Sequence, residues 1–329
     1  MRARGAIHLS PSIVVALSLG ILAGSLVPLA YQRFVCGDYR YINGDLACSG
    51  AAAISKRGYA LLNKQLHTAI AGWKSEGGLV DASVYFRDLS DGPLMGINEN
   101  LPFIPASLLK LPIVMAYFER EEEQAGLLET QLLYSDASVA KEAHLPQVHA
   151  HGTSLQQGQL YTIEDLMRST ITHSDNVAYT ILVDYMNRLP DGTAQILRTF
   201  RELGIVDPAT LYDEVITVRG YASLFRILYN VAYLSPSNSE KVLRWLAEAR
   251  FPKGLAAGLP VNVAVASKFG ERSNSEHHLQ LHDCGIVYYP QNPYLLCVMT
   301  KGRDWATLEK TIGTISRMVY QEVDSRRAR

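Results

Sequence analysis

The sequence has no long basic run, and its 31 lysines and arginines are offset by 32 aspartates and glutamates. That balance leaves no electrostatic footprint for a phosphate backbone, so nucleic-acid binding is set aside. Cysteine is scarce, with four residues in 329 and none at the spacing of a metal-ligand set. No internal repeat and no low-complexity segment occur, which excludes repeat architectures. What remains is an ordinary globular composition, 48% hydrophobic and 19% charged. Such a chain can bury a full core as one large domain or two smaller ones.

Charge is also absent from Gly5 to Gln32, and Ile13 to Ala30 is almost wholly apolar. At 1.5 Å per helical residue such a run approaches a bilayer span. Arg2 and Arg4 precede it, so the positive-inside rule holds the N-terminus in the cytoplasm and sends everything after Tyr31 across the membrane. Residues 1–31 are therefore expected to be an uncleaved anchor; a cleaved signal peptide is the alternative, but no clear small-x-small site follows. Residues 32–52 then form an exoplasmic linker. Within it Cys36 and Cys48 flank "CGDYRYINGDLAC", where a bridge would staple a short loop. Cys284 and Cys297 lie in two apolar runs joined by "YPQNP". A disulfide across a hairpin and two buried thiols both fit that pattern.

Downstream, Ala51 to Trp73 reads as a helix, "ASVYFRDL" alternates as a strand and "PLMGINEN" is its hairpin partner. Helical patterns dominate from Ser107 to about Arg250, with Thr162 and Thr217 as N-caps. Strands return at Val261 to Phe269, Leu279 to Tyr289 and Tyr294 to Thr300, before a last helix from Trp305 to Glu322. Strands at both ends with helices between predict an α+β fold. One antiparallel sheet of about five strands is built from the two extremities, and an all-helical insert forms a second lobe.

The stretch "IPASLLKLPIV" raises a chemical question, because Lys110 sits among Leu108, Leu109, Leu111 and Ile113. On a helix it would stand beside Ser107, and desolvation would lower its pKa until it could act as a base towards that hydroxyl. An isolated pair of this kind is more simply a snorkelling lysine and an N-cap serine. A second pair at the same spacing, Ser138 and Lys141, lacks apolar surroundings and reads as a solvated loop. Pro112 adds a fault, since it cannot supply the helical N–H that would bond Leu108. Further on, "THSDNVAY" sets Ser174, Asp175 and Asn176 ahead of a helix, and "VAVASKFGE" ends a strand on Lys268, Phe269 and Gly270. Each alone has a bland structural reading.

Taken together and in this order, Ser107-x-x-Lys110, Ser174-Asp175-Asn176 and Lys268-Phe269-Gly270 resemble the signature of the serine β-lactamase and penicillin-binding protein superfamily, closest to class A. Flanking segments extend the resemblance over about Gly58 to Val323. It implies a β-lactamase/transpeptidase-like catalytic domain over 53–325, with a sheet lobe at about 53–106 and 251–325 and a helical lobe at about 107–250. It also implies roles. Ser107 is the nucleophile, Lys110 removes or relays its proton, Ser174 passes a proton to the leaving nitrogen, and Lys268 keeps the site electropositive. Asn176 holds the substrate amide, Gly270 allows close approach, and the backbone N–H groups of Ser107 and Glu271 form the oxyanion hole. Asp175 braces the turn.

Two departures from the family pattern stand out. Phe269 replaces a hydroxyl residue that would help bind a substrate carboxylate, and no Glu-x-x-x-Asn loop is found to activate the deacylating water. Asp213 and Glu214 are the weak candidates for that base. Three readings follow: a membrane-anchored hydrolase of β-lactam-like amides, a D,D-peptidase acting on D-Ala-D-Ala peptidoglycan stems, and a binding module without turnover. No cofactor or metal is called for, and a monomer is expected. The nine histidines, including His149 and His282, read as surface or strand residues, with His282 and Asp283 bordering the cleft.

Overall fold

The computed structural model describes residues 40–41, 59–89, 94–135, 139, 147–150, 152–205, 215–249, 251–273 and 278–327. The expected anchor, the Cys36–Cys48 pair, the Ser138/Lys141 pair, and Asp213 and Glu214 lie outside them. Among the described residues no helix is long and apolar enough to cross a membrane.

The chain opens with α1 (Ala60–Ser75), β1 (Leu79–Asp88), β2 (Leu94–Ile97), β3 (Pro102–Phe103) and a 3₁₀ turn (Ala106–Leu109) that runs directly into α2 (Lys110–Glu123). The middle holds β4 (Gln131–Leu133), β5 (Leu160–Thr162), α3 (Ile163–Thr172), α4 (Asn176–Arg188), α5 (Gly192–Glu202), β6 (Ile216–Thr217), α6 (Val218–Tyr229) and α7 (Pro236–Glu248). A second 3₁₀ turn (Leu255–Gly258) then leads to β7 (Val265–Ser273), β8 (Leu279–Val287), β9 (Tyr294–Gly302) and α8 (Trp305–Arg327). The main sheet has the order β2-β1-β9-β8-β7 and is antiparallel throughout, so the chain's two ends do share one sheet.

Both faces of this sheet are covered, which is why its strands read as near-continuous apolar runs. Along β9, Leu295, Cys297 and Met299 join the core under the helical elements, with Leu111, Phe118, Leu166, Tyr221 and Phe225. The alternate residues Tyr294, Leu296 and Val298 join a second core against α1 and α8, with Leu62, Leu66, Ile312 and Val319. The period of two in side-chain direction thus divides one strand between two cores.

Local signals account for the helix starts. Thr162 and Asp165 form a reciprocal capping box on α3, Thr217 accepts from Gly220 N on α6, and Ser235 caps α7 with a proline in its first turn. The expected first helix begins at Ala60, and residues 51–58 lie outside the described set. The third strand starts four residues later than its apolar pattern, because Pro260 to Val263 form a hydrogen-bonded turn that leaves Val261 exposed. It then continues past Phe269 to Ser273. Cys284 and Cys297 face each other across β8 and β9 and are joined as a disulfide. Residues 40 and 41 lie against this body. The Glu240 carboxylate accepts from both backbone N–H groups at 3.0 and 2.8 Å, and the Tyr288 hydroxyl donates to the Tyr41 carbonyl at 2.9 Å.

Candidate active site

Ser107 sits in the 3₁₀ turn between β3 and α2 and is buried. Residues i and i+3 eclipse in such a turn, so Ser107 and Lys110 project on one side. The residue before it, Ala106, has φ of 49°, a left-handed conformation that costs an alanine on the order of 1 kcal/mol and signals a constrained turn. The entry to this turn is pinned on both sides by β8. Ile104 N donates to Gln280 Oε1 at 3.0 Å, and the Ile104 carbonyl lies 3.0 Å from His282 Nε2.

The fault expected from Pro112 is present and is repaired. Pro112 is the third residue of α2, where the 3₁₀ turn passes into α-helix, and it removes the i+4 donor that the Leu108 carbonyl would otherwise have, leaving the Lys110 N–H as its backbone contact. The Tyr221 hydroxyl, fully buried on α6, donates to that carbonyl at 2.9 Å.

Lys110 is 3% exposed. Its Nζ donates to the Ser174 carbonyl, to Asn176 Oδ1 at 2.6 Å and to Ser174 Oγ at 3.2 Å. Lys268 on β7 is equally buried, and its Nζ donates to Ser174 Oγ and to the Phe269 carbonyl, each at 2.9 Å. One hydroxyl therefore lies between two lysine nitrogens. Burial, and then the Lys268 charge, hold Lys110 well below the usual lysine range, while Asp175 and Glu271 pull the other way. Burial likewise brings Lys268 down to about 7 against the opposing charges of Asp283 and Glu271. Ser174 is left-handed, with φ of 55°, as it turns into α4.

Asp175 is fully occupied as a brace. Oδ1 accepts from Val177 N at 2.9 Å and Ala178 N at 3.1 Å, while Oδ2 accepts from Thr153 Oγ1 at 2.8 Å and Ser169 Oγ at 3.0 Å. Four bonds saturate a carboxylate, so its work is to hold the turn to α3 and the 152–155 segment. A cavity of about 1090 Å³ is lined in part by Ser169, His173 and Glu248, and the Arg168–Glu248 ion pair at 2.8 Å joins α3 to the end of α7 beside it.

Gly270 is where β7 meets the Ser107 turn. A Cβ there would lie 2.7 Å from the Pro105 carbonyl oxygen and 3.0 Å from Leu108 Cγ, so only glycine permits this approach. Phe269 points to the opposite face, where it stacks on Phe251 with centroids 4.4 Å apart. Its ring still lies 4.6 Å from Lys268 Nζ.

His282 and Asp283 do not open into a cleft. His282 is buried beneath the Ser107 turn, accepts from Thr300 N through Nδ1, and is pushed down to about 4 by burial, so it is a neutral donor to Ile104. Asp283 faces the other core, accepts from Leu255 N at 2.8 Å, and burial raises it to about 6. Nor is His149 a surface residue, since its side chain is 2% exposed and touches Glu271. Gln280, Tyr221 and His149 were missed by pattern reading. Only Gln280 carried a signal, as a polar residue inside an apolar strand.

Three comparisons bear on this arrangement. The "Beta-lactamase enzyme family" model matches residues 62–323. The extended-spectrum β-lactamase PER-1 of Pseudomonas aeruginosa is 23% identical over 281 residues, covering 79% of this chain and 87% of that protein. A β-lactamase of Proteus vulgaris is 25% identical over 210 residues, covering 60% and 72%. Among solved structures, PBP-A superposes with a TM-score of 0.66 at 22% identity, covering 84% of this chain and all of that one. An ancestral class A β-lactamase gives 0.66 at 20% identity, covering 79% and 99%. With a family model spanning the sheet and every helix but the ends of the first and last, the chain belongs to the β-lactamase enzyme family.

Proposed function

We propose that the protein is a serine hydrolase that acylates Ser107 with β-lactam or related amide substrates. The observation that carries this reading is Ser174 Oγ lying within 3.2 Å of Lys110 Nζ and 2.9 Å of Lys268 Nζ, beside the turn that presents Ser107. In the first half-reaction Ser107 Oγ attacks the carbonyl carbon and its proton passes to a neutral Lys110. The backbone N–H groups of Ser107 and Glu271 receive the oxyanion. As the C–N bond breaks, Ser174 hands its proton to the leaving nitrogen and is resupplied from Lys110, which leaves an ester on Ser107. Once Lys110 has taken the Ser107 proton, both lone pairs of Ser174 are engaged by lysine donors and its own proton is the one it can give. Lys268 supplies positive charge for an anionic substrate group, and Asn176 orients the amide.

The missing Glu-x-x-x-Asn pattern favours a second reading within the same chemistry, a D,D-peptidase on D-Ala-D-Ala stems. Slow hydrolysis of a β-lactam acyl-enzyme suits that lack, while Phe269 turns its ring onto Phe251 and brings no hydroxyl to a substrate carboxylate. Solved PBP-A includes a mutant in an acyl-enzyme complex with penicillin G. The N-terminal apolar run is read as an anchor that leaves the domain at 53–325 outside the membrane, and the Cys284–Cys297 bridge agrees with that oxidising side.

Fluorescent penicillin with gel detection tests the acyl-enzyme. Wild type takes the label and Ser107→Ala does not; label that persists in the variant, or never forms, ends both enzyme readings and leaves the binding module. Turnover of a chromogenic cephalosporin by wild type then favours the hydrolase over the peptidase.

A further inference from the structure

β7 lies at the edge of the sheet, so its backbone is paired on one side only, with β8. It also carries Lys268, Gly270 and Glu271, so its placement sets the wall of the site opposite Ser107. The Glu271 side chain is buried, and one residue from a distant part of the chain grips both of its oxygens. His149 donates its backbone N–H to Oε1 at 3.1 Å, and its ring Nδ1 contacts Oε2. The other ring nitrogen, Nε2, lies 2.8 Å from Glu309 on α8, which also receives Lys253 Nζ at 3.1 Å. Phe251 and Trp305 close over the ring edge-on, with centroids at 5.4 and 5.2 Å.

A neutral imidazole has one donor and one acceptor nitrogen, so it can satisfy only one of two carboxylates. Two carboxylates on opposite nitrogens call for the doubly protonated ring. The charged groups facing it are Glu271 from β7 and Glu309 from α8, with Lys253 one step removed on Glu309.

We propose that His149 is a positioning residue for acylation: as an imidazolium clamped between Glu271 and Glu309, it holds the edge strand that presents the Glu271 backbone N–H to the oxyanion. This rests on the proposed roles of Ser107 and Glu271. Burial works against the charged ring, but the hydrogen bonds to Glu271 and Glu309 prevail and raise His149 above its ordinary 6.5. A raised histidine contributes fully below its unfolded value, and the contribution is lost as pH rises through its folded value. The clamp therefore acts on the acid side and relaxes on the alkaline side.

The test compares wild type, His149→Gln and Glu309→Gln, with acylation rates measured using fluorescent penicillin between about pH 5.5 and about pH 9, and NMR on the same samples. The wild-type rate should exceed that of His149→Gln by roughly 10-fold or more at the acid end, within the range expected for a displaced oxyanion donor. The two should converge at the alkaline end. Glu309→Gln keeps an acceptor but removes a charge, so it should shift the point of convergence to lower pH; it also keeps the proposal testable if His149→Gln does not fold. A ratio that is constant with pH, or an unmoved convergence point in Glu309→Gln, overturns the proposal. The Glu271 amide resonance should titrate with the His149 ring in wild type. If Ser107 takes no label at all, the function reading has failed, and the Glu271 amide alone decides: no coupling to the ring overturns the clamp.

Discussion

Replacing Tyr221 with phenylalanine removes one oxygen atom, and its effect can be reckoned from the turn it serves. Pro112 cannot give an N–H to the Leu108 carbonyl, so the Tyr221 hydroxyl at 2.9 Å takes that place in a region sealed from water. Burial keeps this phenol well above its usual range, so it is a donor at every working pH. That carbonyl keeps the Lys110 N–H, so taking away the hydroxyl removes one of its hydrogen bonds, at a cost of about 0.5–1.5 kcal/mol. At about 2–4 °C per kcal/mol for a domain of this size, Tyr221→Phe should melt roughly 1–6 °C below wild type. The cost is tied to the proline, and a double-mutant cycle can show it. Pro112→Ala restores an N–H facing Leu108, so in that background Tyr221→Phe should cost about 1 kcal/mol less. Thermal melts of the four proteins at one pH supply the numbers. An unchanged melting temperature in Tyr221→Phe, or the same loss with and without Pro112, would refute the assignment of this hydroxyl as the missing helical donor.

Two further outcomes follow from other contacts. Gly270→Ala places a methyl group 2.7 Å from the Pro105 carbonyl oxygen, a backbone atom that cannot swing aside. It should cost about 1–3 kcal/mol in thermal melts and slow Ser107 labelling on the order of 100-fold by moving β7 off the turn; labelling at the wild-type rate counts against the close approach. Asp283, raised from 3.8 to about 6 by burial, keeps a proton in the folded state that the unfolded state has released. Its contribution is present below the lower value and is lost as pH rises through the upper one. Wild type should therefore lose roughly 3 kcal/mol across that window relative to Asp283→Asn, and parallel pH–stability curves would exclude it.

Features whose cause lies within a few residues were legible in the sequence. Thr162 and Thr217 cap their helices through side chains three positions from their partners, and Ser107 and Lys110 share one turn of the backbone. The sheet was legible because both chain ends alternate or run apolar over strand lengths. Contacts made across the fold were not legible. Tyr221 reaches Leu108 over 113 positions and His149 reaches Glu271 over 122, and no local period encodes either. His282 was assigned to a cleft because polar residues in an apolar strand suggest a site. In the structure the same polarity secures Ile104 from beneath. The start of β7 was misjudged because apolar Val261 continues the pattern on paper, while Pro260 imposes a turn.

The stacked pair Phe269 and Phe251 bears on how the protein can evolve. One base change turns a phenylalanine codon into a serine codon, so a hydroxyl at this position is a single mutational step away. That step would empty a ring-sized space beside Phe251, at a cost of about 3–5 kcal/mol if the gap does not close. Phe251 in turn supports the ring of His149. Selection for a hydroxyl at position 269 would thus have to change the stack and the histidine cage in concert, through intermediates less stable than either end. The aromatic pair acts as a ratchet, holding position 269 to an aromatic ring more firmly than the genetic code would.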